Sequence, residues 1–222
     1  MSTEKHWASK QASKQDEVRD FVSQVLDLAV KRRKEVGMAL GALALLGALI
    51  GFAVYSHKAN ETEAWDKLSM AEAYSYYGRP KEAADTLAEV ASQSASPAAA
   101  ALAGMMQGEF KQTKGENDAA LAAFTHASEV APQALKPFAT AEKVSALEAA
   151  GKYPECIAAA QSFLDANEAH FLGPQVHEAM ARCQTAAGQA EPARATWQKI
   201  SLQYADTPWG ARASARLQSP AK

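Results

Sequence analysis

The sequence predicts an all-α chain in which one N-terminal transmembrane helix is followed by an α-solenoid of four helical hairpins and a C-terminal capping helix. Three observations carry this reading. Val36 to Tyr55 is a run of twenty residues without a charged side chain. Glycines at 78, 115, 151 and 188 recur at spacings of 37, 36 and 37, each between two helical stretches. Alanine, the strongest helix former, fills 43 of the 164 positions from Ala59 to Lys222 and leaves little signal for strands.

The first segment, 1–35, is predicted to be a cytoplasmic arm. Residues 1–15 repeat Lys, Ser and Gln with almost no apolar residue except Trp7, a composition that predicts disorder. Over 16–35, Val18, Phe21, Val22, Val25 and Ala29 recur at helical spacing and lead into Lys31-Arg32-Arg33-Lys34. Such a helix fits the anionic membrane surface, a partner's surface, or a plain continuation of the span that follows.

Residues 36–55 make that span, because a helix of this length rises about 30 Å, the thickness of a bilayer's hydrocarbon core. Phe52 and Tyr55 lie near one end, where aromatic rings favour the interface. The basic cluster precedes the span, whereas Glu61, Glu63 and Asp66 offset Lys58 and Lys67 after it. Positive-inside topology then places the N-terminus in the cytoplasm of a bacterium and residues 56–222 in the periplasm, as a single-pass inner-membrane protein. A cleaved signal peptide fits less well, since Tyr55 follows two positions after Ala53, where a small residue is needed. Gly37-x-x-x-Gly41 and Gly47-x-x-x-Gly51 either admit a partner helix or reflect the ordinary abundance of glycine in membrane helices.

The translocated part, 56–222, divides at its glycines and prolines into hairpins over about 61–94, 97–131, 137–168 and 174–205, with a terminal helix from Pro208 to Leu217. Five residues after each turn glycine stands a small side chain, Ala83, Ala120, Cys156 or Ala193. Nine residues after it stand Leu87, Phe124, Ala160 and Trp197. The small residue lets two helices approach and the larger one fills the space between them. Pro97, Pro132, Pro137, Pro174 and Pro208 fall between units, and Pro80, Pro154 and Pro192 in first turns of second helices, where a missing N–H does no harm.

These columns resemble the tetratricopeptide repeat (TPR) family, with Ala131-Pro132 matching its closing proline. The period is near 37 residues instead of the family's roughly 34, and the family's aromatic and Leu-Gly columns in the first helix are mostly missing. The order of arm, span and translocated repeats is also similar to that of ancillary Sec translocon subunits of the YfgM type. That likeness implies association with the Sec translocon and with a membrane-anchored periplasmic chaperone, in aid of newly exported proteins.

No pattern in the chain requires an enzyme, a cofactor or a metal: it has no phosphate-binding glycine loop, no H-E-x-x-H and no G-x-S-x-G. The five histidines are scattered, and His126 and His177 read as ordinary helix residues. No basic excess suggests nucleic acid, since the net charge is −2. Cys156 and Cys183 fit either a disulfide between hairpins three and four or two small buried hydrophobes.

Function is therefore expected from a surface. In the family the first helices line a groove, and positions 13, 10 and 6 before each turn glycine are its inner positions. They are Trp65, Leu68 and Glu72; Leu102, Met105 and Glu109; Phe138, Ala141 and Ser145; and Gln175, Glu178 and Arg182. A groove apolar at one end and charged at the other suits a segment of a protein partner. The competing reading makes several of these residues core, because a one-residue shift in register turns them inward. The expected role is a membrane-anchored adaptor for protein partners at the translocon; the alternative is a structural scaffold subunit of a larger envelope complex.

Overall fold

The structure, a computed structural model, describes residues 30–167 and 169–218; the arm's polar segment and its Val18–Ala29 stripe lie outside them. Nine helices account for nearly all of the described residues: α1 (Arg33–Tyr76), α2 (Pro80–Gln93), α3 (Pro97–Thr113), α4 (Asn117–Val130), α5 (Lys136–Ala149), α6 (Tyr153–Ala166), α7 (Gly173–Ala186), α8 (Ala190–Gln203) and α9 (Pro208–Gln218). The chain divides into two units, the first ending at Ser56 and the second beginning at His57.

In the first unit, α1 is apolar on every side. Met38, Leu40, Leu43, Leu45, Leu46, Leu49, Ile50, Phe52 and Val54 are all exposed. A Cβ added at Gly37, Gly41, Gly47 or Gly51 would meet nothing within 4 Å. This helix is long and apolar enough to cross a membrane. An apolar surface of this extent is unfavourable in water.

In the second unit, each hairpin closes through the same cap. Gly78, Gly115, Gly151 and Gly188 have φ of 69°, 76°, 72° and 75°, left-handed values that a Cβ opposes. The N–H that follows each glycine bonds back to a carbonyl of the last turn, as in Glu116 N to Lys111 O at 3.0 Å and Lys152 N to Leu147 O at 2.9 Å. These are four Schellman caps, which satisfy carbonyls that a helix end would otherwise leave open.

Each second helix then folds back along its small-residue column. Ala83, Ala120, Cys156 and Ala193 are buried, as are Leu87, Phe124 and Trp197 nine residues after their glycines. Hairpin three has Ala160 in that place, and its large core side chain is instead Phe163, which belongs to the same core cluster as Ala160, Cys156 and Cys183. α3 and α4 approach closely at Gly108, where an added Cβ would stand 2.6 Å from the Phe124 ring.

The clusters do not respect hairpin boundaries. Ala64, Leu68 and Ala71 of α1 pack with Leu87, Val90 and Ala91 of α2 and with Ala99 and Ala103 of α3. A second cluster runs from α3 to α7, and a third joins Ala181, Trp197 and Ile200 to Ala213 of α9. From α3 onward, the backbone of each first helix also comes close to that of the first helix of the next hairpin, α3 to α5, α5 to α7 and α7 to α9, more so than between successive second helices, where α4 reaches α2 through the His126 side chain. That difference places the first helices on the inner face of the stack.

Gly108→Ala should destabilise the domain by about 1–3 kcal/mol, because the ring of Phe124 is itself enclosed and cannot yield freely. Urea or thermal unfolding of the variant measures it, and an unchanged midpoint would contradict the packing between α3 and α4.

Candidate protein-binding groove

The inner face is built by counting back along uninterrupted helices from the four caps. α3 is longer than α5 and α7, but its extra residues lie at its N-terminus, since α3 ends two residues before its glycine just as α5 and α7 do. The register of the three rows is therefore the same in every repeat, and the rows differ in burial.

The row 10 before the glycine is closed. Leu68 is 6% exposed, Met105 9% exposed, and Ala141 is buried with them. Leu68 and Met105 are core, not groove: each sits in a cluster that includes residues of its own second helix and of the next hairpin. Contact between successive first helices requires an apolar row, and this row supplies it in repeats one to three.

The rows at 13 and 6 are open or half open. Trp65 is 40% and Phe138 37% exposed, with Leu102 half-buried. Glu72 and Glu109 are exposed, Ser145 and Gln175 half-buried. Beside Phe138 the connection between α6 and α7 adds Phe171, 67% exposed, whose ring centroid lies 5.7 Å from that of Phe138. His170 stacks on Phe171 at 4.6 Å and meets Phe138 edge-on. Phe171 lies outside any row counted from the glycines, so helical spacing had no means of finding it.

At the C-terminal end, Glu178 and Arg182 are engaged within the protein. Arg182 Nε and a second guanidinium nitrogen donate to the two Glu148 carboxylate oxygens at 2.6 and 2.7 Å. Arg212 donates to Glu178 in the same two-pronged way, at 2.8 and 2.9 Å. Arg182 also lies 3.7 Å from Glu178, so four side chains on α5, α7 and α9 form one ladder. Arg212 beside Glu178 holds that carboxyl below the usual range, and Glu148 raises the affinity of Arg182 for its proton. A cleft of about 350 Å³ opens here, lined by Glu178, Arg182, Trp197, Arg212, Ala215 and Arg216.

Both ladder pairs are 34 residues apart in sequence. That is three fewer than the 37 residues between Gly151 and Gly188. A search for charges at that separation would have paired Glu148 with Arg182, although the glycine columns alone do not suggest it.

Cys156 on α6 and Cys183 on α7 are bonded, with S–S 2.04 Å and Cα–Cα 6.4 Å, and both are buried. The bond ties hairpin three to the first helix of hairpin four. Among the described residues, no group of three or more His, Cys, Asp or Glu is placed to hold a metal ion. His126 Nε2 donates to Ala91 O at 3.0 Å, joining hairpins one and two. His177 is buried; its Nδ1 donates to Gly173 O at 3.0 Å, and its Nε2 is buried with no hydrogen-bond partner. Burial pushes the imidazole's pKa below its ordinary 6.5, against the opposing pull of the Gly173 carbonyl.

The sign of the resulting pH dependence follows directly. The unfolded chain takes up a proton at His177 near pH 6.5 and the folded chain only at lower pH, so stability falls as pH drops below about 6.5. Urea unfolding of His177→Gln between pH 7.5 and 5 should show a shallower loss than wild type. Equal slopes would remove His177 as the cause.

No protein-family model and no curated protein matches the chain. Solved structures do. A Podosopora anserina protein of the kinesin light chain type, with nearly identical TPR-like repeats, superposes with a TM-score of 0.56 at 16% identity, over 71% of this chain and 84% of that one. Two structures of MamA superpose with TM-scores of 0.53 and 0.52, at 15% and 14% identity, over 67% and 74% of this chain and 82% of each of those chains. At such identities the likeness is one of fold, and the fold of the repeat domain is TPR-like.

Proposed function

We propose that this chain is a single-pass adaptor of the bacterial inner membrane, with a cytoplasmic N-terminus and a periplasmic repeat domain that binds segments of other proteins. The observation that carries the reading is the split of the inner face into a closed row and two open ones. Trp65, Leu102, Phe138 and Phe171 offer apolar and aromatic surface on the repeat unit, a composition typical of protein-binding anchors. TPR-like solenoids present such a face as an extended groove, and a continuous stretch of partner chain is its natural occupant.

The topology has two independent supports. Lys31-Arg32-Arg33-Lys34 precedes the apolar helix, which favours retention of the N-terminus inside. A buried disulfide between Cys156 and Cys183 belongs in an oxidising compartment and not in the cytosol. The partner implied by the order of arm, span and repeats is the secretory translocon with its exported clients and a periplasmic chaperone. A scaffold role in a larger envelope complex is the second reading, favoured by the bare glycines of the span, which leave room for another helix.

Photo-crosslinkers placed at Trp65 and Phe138 in intact cells test the adaptor reading. Translocon subunits and exported proteins among the products are expected; one stoichiometric envelope complex without either would overturn it in favour of the scaffold. Topology and disulfide have their own checks. Protease added to spheroplasts should remove the repeats, and a protected Trp197 region would reverse the orientation. Unfolded, non-reduced protein should show no reactive thiol, whereas two per chain would contradict the bond.

A further inference from the structure

The cleft at the C-terminal end of the inner face is lined by three guanidinium groups, Arg182, Arg212 and Arg216, and by one carboxylate, Glu178. Residues 56–222 hold five arginines, so three of the five stand at one cleft of a segment that carries more acidic than basic side chains. Arginine in place of lysine brings a planar fork of donors that matches an oxyanion through two parallel bonds. Two of the forks are filled, Arg182 by Glu148 and Arg212 by Glu178, through bonds of 2.6–2.9 Å. Arg216 is exposed and has no ion-pair partner among the described residues.

Arg212 and Arg216 are four residues apart on α9 and share a face of that helix, where like charges repel and Glu178 bonds only the first. A second acceptor is missing at the mouth of the cleft. The bonds to Glu178 use Arg212 Nε and Nη2, which leaves Nη1 for that acceptor. Charge decides its kind. Three guanidiniums against Glu148 and Glu178 leave one positive charge, which a single carboxylate balances, whereas a doubly charged phosphate would set excess negative charge beside Glu178. Size gives the same answer: about 350 Å³ is at the small end of the range for ligand sites and holds a side chain or two, with Trp197 in the wall to take an apolar stem.

We propose that this cleft binds an aspartate or glutamate side chain from a segment of a partner protein, with the carboxylate between Arg216 and Arg212 Nη1 and the stem of the side chain on Trp197. The proposal rests on the groove reading above and adds an acidic position to the apolar and aromatic anchors at Trp65, Leu102, Phe138 and Phe171. The ladder then has a second use. Glu148 and Glu178 hold the forks of Arg182 and Arg212 in place, so the incoming carboxylate meets donors that are already oriented.

The test uses the full chain in nanodiscs of zwitterionic lipid and labelled peptides of one leucine- and phenylalanine-rich sequence, read by fluorescence anisotropy. The peptides are amidated at the C-terminus and differ only in a central glutamate, glutamine or phosphoserine. The glutamate peptide should bind wild type about fivefold more tightly than the glutamine peptide, the scale of a partly exposed ion pair. Arg216→Gln should erase that difference and leave the thermal unfolding midpoint in place; a midpoint that falls with the affinity would assign Arg216 to the fold and overturn the site. Arg216→Glu should turn the preference toward the glutamine peptide. A phosphoserine peptide that binds more tightly than the glutamate peptide would make the cleft a phosphate site and overturn the proposal. If the glutamate and glutamine peptides bind equally while Phe138→Ala weakens both, the groove reading stands and the acidic position falls. If no peptide binds, the acidic position falls as well, and the crosslinks from Trp65 and Phe138 decide the groove reading separately.

Discussion

Close approach of helices at small residues is the constraint on which the rest of the repeat domain depends. Ala83, Ala120, Cys156 and Ala193 let each second helix settle onto its neighbours, and Gly108 lets the Phe124 ring lie flat against α3. A hairpin of two short helices cannot enclose a core alone, so the buried side chains fall into clusters that bridge hairpins. Stability is then a matter of nearest neighbours. The first helices meet one another directly, and that contact both closes the Leu68, Met105 and Ala141 row and leaves the rows beside it facing outward.

The stagger between first helices decides which charges meet. Glu148 meets Arg182 and Glu178 meets Arg212, each pair 34 residues apart. The C-terminal half is therefore tied by two bidentate ion pairs and a disulfide, around a terminal helix that has neighbours on one side only. The middle of the inner face carries exposed aromatic surface instead. Half-exposed ion pairs contribute little to stability singly, yet a ladder of them with paired geometry defines the orientation of the last helices. The result is a domain whose far end is held and whose middle is left to interact.

The first unit meets the problem of burial by another route. Its helix is apolar around its circumference from Val36 to Tyr55, is exposed among the described residues, and is long and apolar enough to cross a membrane. Neither solution would serve the other segment. The repeat helices bury one face against their neighbours, whereas the apolar window of the first-unit helix is not buried among the described residues.

Much of the fold was legible because it is written in local rules. A glycine is needed wherever the chain must adopt positive φ, and four of them at an even spacing mark four hairpins. Prolines mark first turns, small residues mark helix contacts, and a charge-free run of twenty marks the long apolar helix. In hairpin three the bulky column holds Ala160, and Phe163, outside that column, fills the same part of the core. The groove was legible only in outline. Counting back from the glycines found the rows, but burial separated Leu68 and Met105 from Trp65 and Phe138. The contributions of Phe171, Glu148 and Arg212 depend on residues 30 or more positions apart, or on a connection that follows no period. Sequence alone determined where helices start, turn and stop, because those choices rest on backbone geometry and on residues within one turn of each other. Tertiary structure alone decided which side chains the helices share and which they expose, because that depends on the offset between neighbouring helices, a quantity no single helix encodes.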